Sequence, residues 1–213
     1  MKTLLKVMIA LVAVAVLFVL FVRSARSTRA EPFTIARQDL AGWTLTLAPD
    51  ADAFDSLLSI TPRVELMPPL ARDLFARTGE SLHYPPPAMP VVLRSEFQRA
   101  IASVLAPDAL LDAAREAGLE SATFQPRCMA RRRISASGVL RGVYFLVFDL
   151  PQFTQFREQV AQRLRAAGGD ASLFDPSALS PVLIAAALDG SFSGWLPLRA
   201  DPEVDCFAPI VVK

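Results

Sequence analysis

From Val7 to Val22 the chain reads VMIALVAVAVLFVLFV, 16 apolar residues without a break. A run like this crosses a membrane, is removed with a signal sequence, or is buried as a core helix. With Leu4 and Leu5 it covers residues 4–22, interrupted only by Lys6. A bilayer core takes about 20 helical residues, and Lys6, one turn from the start, can snorkel to the interface. The apolar part of a signal peptide is shorter, about 7–15 residues, and ends at a small-x-small site. Here the following RSARSTRAEP offers only Thr28-Arg29-Ala30. The sequence therefore predicts a single uncleaved transmembrane helix, with residues 1–30 forming the anchor and its basic flank. Lys2, Lys6 and the α-amine on one side tie with Arg23, Arg26 and Arg29 on the other, so flanking charge does not orient the span. A short tail ahead of a first apolar segment resembles an export signal. This places the body outside the cytoplasm, which in a bacterium is the periplasm, anchored in the cytoplasmic membrane.

Residues 31–213 are long enough for one domain with its own core. All 21 acids lie at or beyond Glu31, against 17 of the 22 basic residues, so the body carries about −4 (17 − 21). Nucleic-acid-binding domains are basic, and no nucleic-acid partner is expected.

The expected class is α+β: an antiparallel or mixed sheet with helices on one face, with a ferredoxin-like arrangement as the finer possibility. FTIA and GWTLTLA read as short strands, and RVELMPP as another. PPLARDLFARTG reads as a helix between Pro69 and Gly79. HYPPPAMP, residues 83–90, is a proline-rich connector. Ser95 and Gln98 have capping-box spacing ahead of Phe97, Ile101 and Leu105. APDALLDAAREAG is a second helix. ATFQPRCMARRRI is extended, SASG is a turn, and VLRGVYFLVFD is a strand whose Val143–Phe148 section is apolar on both faces. In PQFTQFREQVAQRLRAAGG, Phe153, Phe156, Val160 and Leu164 form one stripe, with Arg157, Arg163 and Arg165 off it. PVLIAAAL and CFAPIVVK read as strands.

Catalytic readings fail on inventory. His83 is the single histidine, so no Ser-His-Asp or Cys-His set assembles without it. Two cysteines and one histidine do not make a zinc site. Lysines occur only at positions 2, 6 and 213, and no glycine-rich phosphate loop is present. No cofactor and no metal is expected. PDADAFD, with Asp50, Asp52 and Asp55, lacks the glycine and glutamate of a calcium loop and reads as a helix N-terminus.

RCMARRRISASG sets Cys128 beside Arg131, Arg132 and Arg133. Three readings compete: a reactive thiol, a basic patch, and half of a disulfide with Cys206. An extracytoplasmic body with two cysteines favours the bridge. Cys206 follows DPEVD. Were the two cysteines opposed on antiparallel strands, Arg131 would face Glu203 and Arg133 would face Asp201, giving two cross-strand ion pairs. Pro202 would then need an edge position.

The expected function is a membrane-anchored extracytoplasmic structural, adaptor or assembly domain, held through residues 4–22 and working through a protein partner. The alternatives are a small-molecule or lipid-binding module and a carboxylate-based hydrolase of the cell envelope.

Overall fold

The computed structural model describes residues 12, 14, 16–20, 31–48, 55–136, 139–190 and 199–213. The body is α+β with two sheets. One has five strands in the order β1-β8-β5-β6-β7: β1 Phe33–Ile35, β8 Cys206–Val212, β5 Gln125–Ala136, β6 Val139–Asp149 and β7 Val182–Ala187. It is mixed, because β1 runs parallel to β8 while the other pairs are antiparallel. The second sheet is antiparallel, in the order β2-β3-β4, with β2 Thr44–Leu47, β3 Ser56–Thr61 and β4 Met89–Leu93. The helices are α1 Met67–Thr78, α2 Arg94–Arg99, α3 Pro107–Glu116, α4 Pro151–Ala166 and the single turn α5 Pro202–Asp205.

Period-2 alternation gives the five-stranded sheet two buried faces. Met129, Tyr144, Leu146, Phe148, Leu183 and Ala208 join the main core with α1, α3, α4 and the smaller sheet. Cys128, Ala130, Val143, Phe145, Val147 and Ile184 form a second cluster on the other face. Val143 to Phe148 is therefore buried throughout, as its unbroken apolar run predicts. Phe153, Phe156, Val160 and Leu164 of α4 are all buried in the main core. Trp43 stacks on Phe124 with ring centroids 3.9 Å apart and meets Phe148 edge-on, joining the start of the smaller sheet to the larger one.

The strand order is not that of a ferredoxin-like sheet. Strand β7 follows α4 but returns antiparallel beside β6, so the hairpin, helix and strand do not make a parallel crossover. RVELMPP is not a strand: Val64–Leu66 is a 3-10 turn leading into α1. Pro68 and Pro69 have no N–H to give a ladder and sit where a helix leaves N–H groups unused. Gly79 ends α1 at φ +62°, with its N–H on the Phe75 carbonyl at 2.8 Å. Asp50 and Asp52 lie outside the described residues. Asp55 has φ +54° and opens β3 rather than a helix. The proline-rich connector is pinned at His83, which exchanges backbone hydrogen bonds with Ala187 of β7, and it runs directly into β4. Helix α2 begins at Arg94, one residue ahead of the expected Ser95 cap, because Leu93 leaves β4 extended and Glu96 accepts its N–H at 3.0 Å.

The predicted span over residues 4–22 lies largely outside the described residues. Within it, Val12, Val14 and residues 16–20 are helical, with 52% to 66% of their surface exposed. Among the described residues, no helix is long and apolar enough to cross a membrane.

Candidate functional site

The cysteine–arginine stretch lies on β5, and alternation sorts its residues between the two sheet faces. Cys128, Ala130 and Arg132 share the face of the second cluster. Met129, Arg131 and Arg133 share the opposite one. Cys128 is bonded to Cys206, with Cα atoms 5.7 Å apart. The reactive-thiol reading of Cys128 is excluded in this state.

The proposed register is not the one formed. Cys206 sits beside Ala130, and Cys128 sits beside Pro209, across an irregularity between Met129 and Ala130. The predicted ion pairs Arg131–Glu203 and Arg133–Asp201 do not form, because DPEVD is a helical turn rather than a strand. Pro202 fixes a helical φ at its start. Asp201 caps it by accepting the Glu203 N–H at 3.1 Å. Asp205 completes it by accepting the Asp201 N–H at 2.8 Å.

Each arginine has another environment. Arg132 makes a two-point pair with Asp205, whose side chain is 3% exposed, and also donates to the Arg199 carbonyl at 3.1 Å. Arg133 pairs with Glu80, just past the end of α1. Arg131 lies 5.7 Å from the Phe207 ring. Glu80 also accepts from the Tyr144 hydroxyl at 2.6 Å. Burial and the Glu80 carboxylate both push the Tyr144 phenol above its ordinary range, and Arg131 partly offsets them.

Tyr144 carries the first testable consequence. Its raised folded-state pKa means that the unfolded chain loses this proton first. Its contribution is complete below pH of about 10, the ordinary tyrosine value, and is lost as pH rises above that. A Tyr144→Phe variant should lose the alkaline part of this dependence, and at neutral pH about 1.5–3 kcal/mol for a hydrogen bond to a charged group. Urea midpoints from neutral to alkaline pH check both.

The best-built polar site was not anticipated. Arg157, expected on the solvent side of α4, is fully buried. Its Nη atoms donate to Glu96 at 2.7 and 3.2 Å, to the Val91 carbonyl at 2.8 Å and to the Asp175 carbonyl at 2.7 Å. Its Nε donates to the Pro176 carbonyl at 2.9 Å, so all five guanidinium N–H groups have acceptors. The Phe174 ring lies 4.7 Å from the guanidinium carbon. The cluster ties α4 to the β4–α2 junction and is structural, since the Arg157 guanidinium and the Glu96 carboxylate are buried and every guanidinium N–H is taken up within the fold. Its one sequence signal is that Arg157 directly follows the stripe residue Phe156.

Two carboxylates have shifted titration. Asp170 and Asp175 are held below the usual carboxylate range by hydrogen bonds from Ser172 and Ser177. Both are exposed and stay ionised, the opposite of what a general acid needs. Among the described residues, no group of three His, Cys, Asp or Glu side chains could hold a metal. An open groove of about 550 Å³ lies where the segment after β1 and the ends of β5 and β8 meet the α3–β5 loop, with Leu40, Phe124, Pro126 and Val212 beside Arg37 and Glu120.

The fold and this surface define a disulfide-stapled α+β domain that joins a helical apolar segment. Comparison with protein families, with curated proteins and with solved structures finds no match.

Proposed function

We propose that the chain is a membrane-anchored extracytoplasmic domain with a structural or adaptor role and no catalysis of its own. The observation that carries this reading is the exposed apolar helix at Val12, Val14 and residues 16–20. Apolar side chains left this exposed belong in hydrocarbon, where a helix satisfies its own backbone. The Cys128–Cys206 bridge supports an oxidising compartment for the body. Phe75 on α1 and Tyr84 in the proline-rich connector, both about half exposed, are aromatic side chains open to a protein partner.

The test is fractionation of bacterial cells making the full chain. The chain should stay with membranes through alkaline carbonate, and protease added to spheroplasts should remove the body. Carbonate-soluble protein, or a body that protease reaches only after lysis, would contradict the proposal. The alternative of a ligand-binding module rests on the groove beside Phe124, whose size is within the range of ligand sites. A discrete added mass in native mass spectrometry of the purified chain would favour it.

A further inference from the structure

Three acids are buried among the described residues: Asp39 at 8% exposed, Glu96 at 5% and Asp205 at 4%. A carboxylate taken out of water needs a cation or hydrogen-bond donors in place of its hydration. Glu96 has Arg157, and Asp205 has Arg132. Asp39 has neither. Among the described residues, its hydrogen bonds are made by its backbone and none by its carboxylate.

The local fold explains this. Asp39 lies in the 3-10 turn Arg37–Leu40 that follows β1. Its N–H donates to the Ala36 carbonyl at 3.0 Å, and its carbonyl accepts from Trp43 Nε1 at 2.9 Å. Trp43 is stacked on Phe124, so the Asp39 backbone is fixed from both sides. The neighbouring start of α1 is short of donors, because Pro68 and Pro69 have no N–H. The arginines around the turn have other positions. Arg63 donates to the Gln38 carbonyl at 3.5 Å, Arg37 lines the groove beside Phe124, and Arg77 pairs with Asp73 at 3.3 Å.

Asp39 lines a cavity of about 390 Å³ between the end of β1 and the first two turns of α1, together with Thr34, Ile35, Leu66, Pro69, Arg72 and Asp73. This size is within the range of ligand sites. The cavity does not suit a metal, since among the described residues no three His, Cys, Asp or Glu side chains come together. Of its two acids, Asp73 already has Arg77. Arg72 is exposed and pairs with neither acid, which makes it the competitor that any incoming cation meets.

We infer that this cavity receives an arginine side chain of a protein partner, with the guanidinium on Asp39. This names the chemistry of the partner that the adaptor reading above leaves open, and it rests on that reading. The planar guanidinium offers a carboxylate two parallel N–H donors, and its methylene stem has Leu66 and Pro69 to lie against. At an exposed acid such a pair is worth little, because both charges stay hydrated and screened. Asp39 has given up most of its hydration in the folded chain already, so that part of the desolvation does not fall on binding. An arginine seated in a desolvated pocket is a common energetic anchor of protein interfaces.

The test titrates the full chain, isotope-labelled and in detergent, with a capped glycine-arginine-glycine peptide and follows its amide resonances. A second peptide carries citrulline, the uncharged isostere of arginine. The expected result is saturable shifts confined to Thr34–Leu40 and Leu70–Asp73. The citrulline peptide should bind about 30-fold more weakly, the lower end for truncating one partner of a buried charge pair. Asp39→Asn should lose the arginine peptide to the same extent, and Arg72→Gln, which removes the competing cation, should tighten it. Citrulline bound as tightly as arginine, or arginine shifts that persist in Asp39→Asn, overturn the inference. So do unsaturated shifts spread over exposed acids elsewhere, which mean non-specific ion pairing. The citrulline comparison leaves the protein unaltered and decides the matter where Asp39→Asn does not fold. A stability loss on Asp39→Asn that disappears in the Arg72→Gln background gives the cavity to Arg72 of the same chain and also overturns the inference. All of these outcomes leave the anchored adaptor reading standing, because that reading fails separately, in the fractionation described above.

Discussion

Opening the Cys128–Cys206 bridge, by reduction or by Cys128→Ala with Cys206→Ala, should lower folding stability by about 4.5 kcal/mol, the chain-entropy value for a loop of 78 residues. The loss falls mainly on the unfolded ensemble, which regains the freedom of a segment running from β5 through β6, α4 and β7 to the start of β8. The native contacts beside the bridge are otherwise complete. Cys128 is buried against Val143, Phe145 and Val182, and Arg132 holds Asp205 at the foot of β8. The reduced chain should thus keep the native fold under mild conditions and unfold at a lower urea concentration. Urea curves of the full chain in detergent, with and without reductant, measure the difference. Coincident curves would mean that the bridge contributes nothing to stability. The double variant should match the reduced wild type.

Arg157→Met should cost about 3–5 kcal/mol, the expected penalty for removing one member of a buried ion pair. The substitution strands the Glu96 carboxylate, whose side chain is 7% exposed, and takes the Nη1 donor from Val91 and the Nη2 donor from Asp175. Glu96→Gln should cost less, because the amide oxygen can still accept from Arg157. The double variant Arg157→Met, Glu96→Leu removes both charges together and should be less destabilised than the sum of Arg157→Met and Glu96→Leu. The difference measures the coupling of a pair in direct contact. Additive losses would mean that the two charges do not interact. Because Val91 and Glu96 flank the β4–α2 junction while Arg157 is on α4, loss of the pair should loosen the smaller sheet first. Faster amide exchange in β3 and β4 than in β6 would report this.

The parts of the fold that were legible in the sequence are those where periodicity and local stops agree. Helix α4 carries a complete apolar stripe between Pro151 and Gly168, and Val143–Phe148 is an unbroken run of aliphatic and aromatic residues on both faces. What was not legible depends on residues brought together from far apart in the chain. Strand β3 hides behind PDADAFD, whose acids suit a helix start, and without it the smaller sheet is invisible. Arg157 reads as a solvated charge until Glu96, 61 residues away, is placed against it. The disulfide followed from counting cysteines, but the partners of Arg131 and Arg133 did not follow. Pro202 and Asp201 favour a capped helical turn over an extended strand, and Glu80 reaches Arg133 from the end of α1.

The central claim, an oxidised body held outside the cytoplasm by an apolar anchor, is tested most directly by thiol alkylation. The full chain, made in intact bacterial cells, is treated with a bulky maleimide with and without prior reduction and read as a gel shift. The account predicts no shift until reduction, with monomer mobility kept, and then a shift for two thiols. A two-site shift without reduction would contradict it, placing Cys128 and Cys206 as free thiols in a reducing compartment.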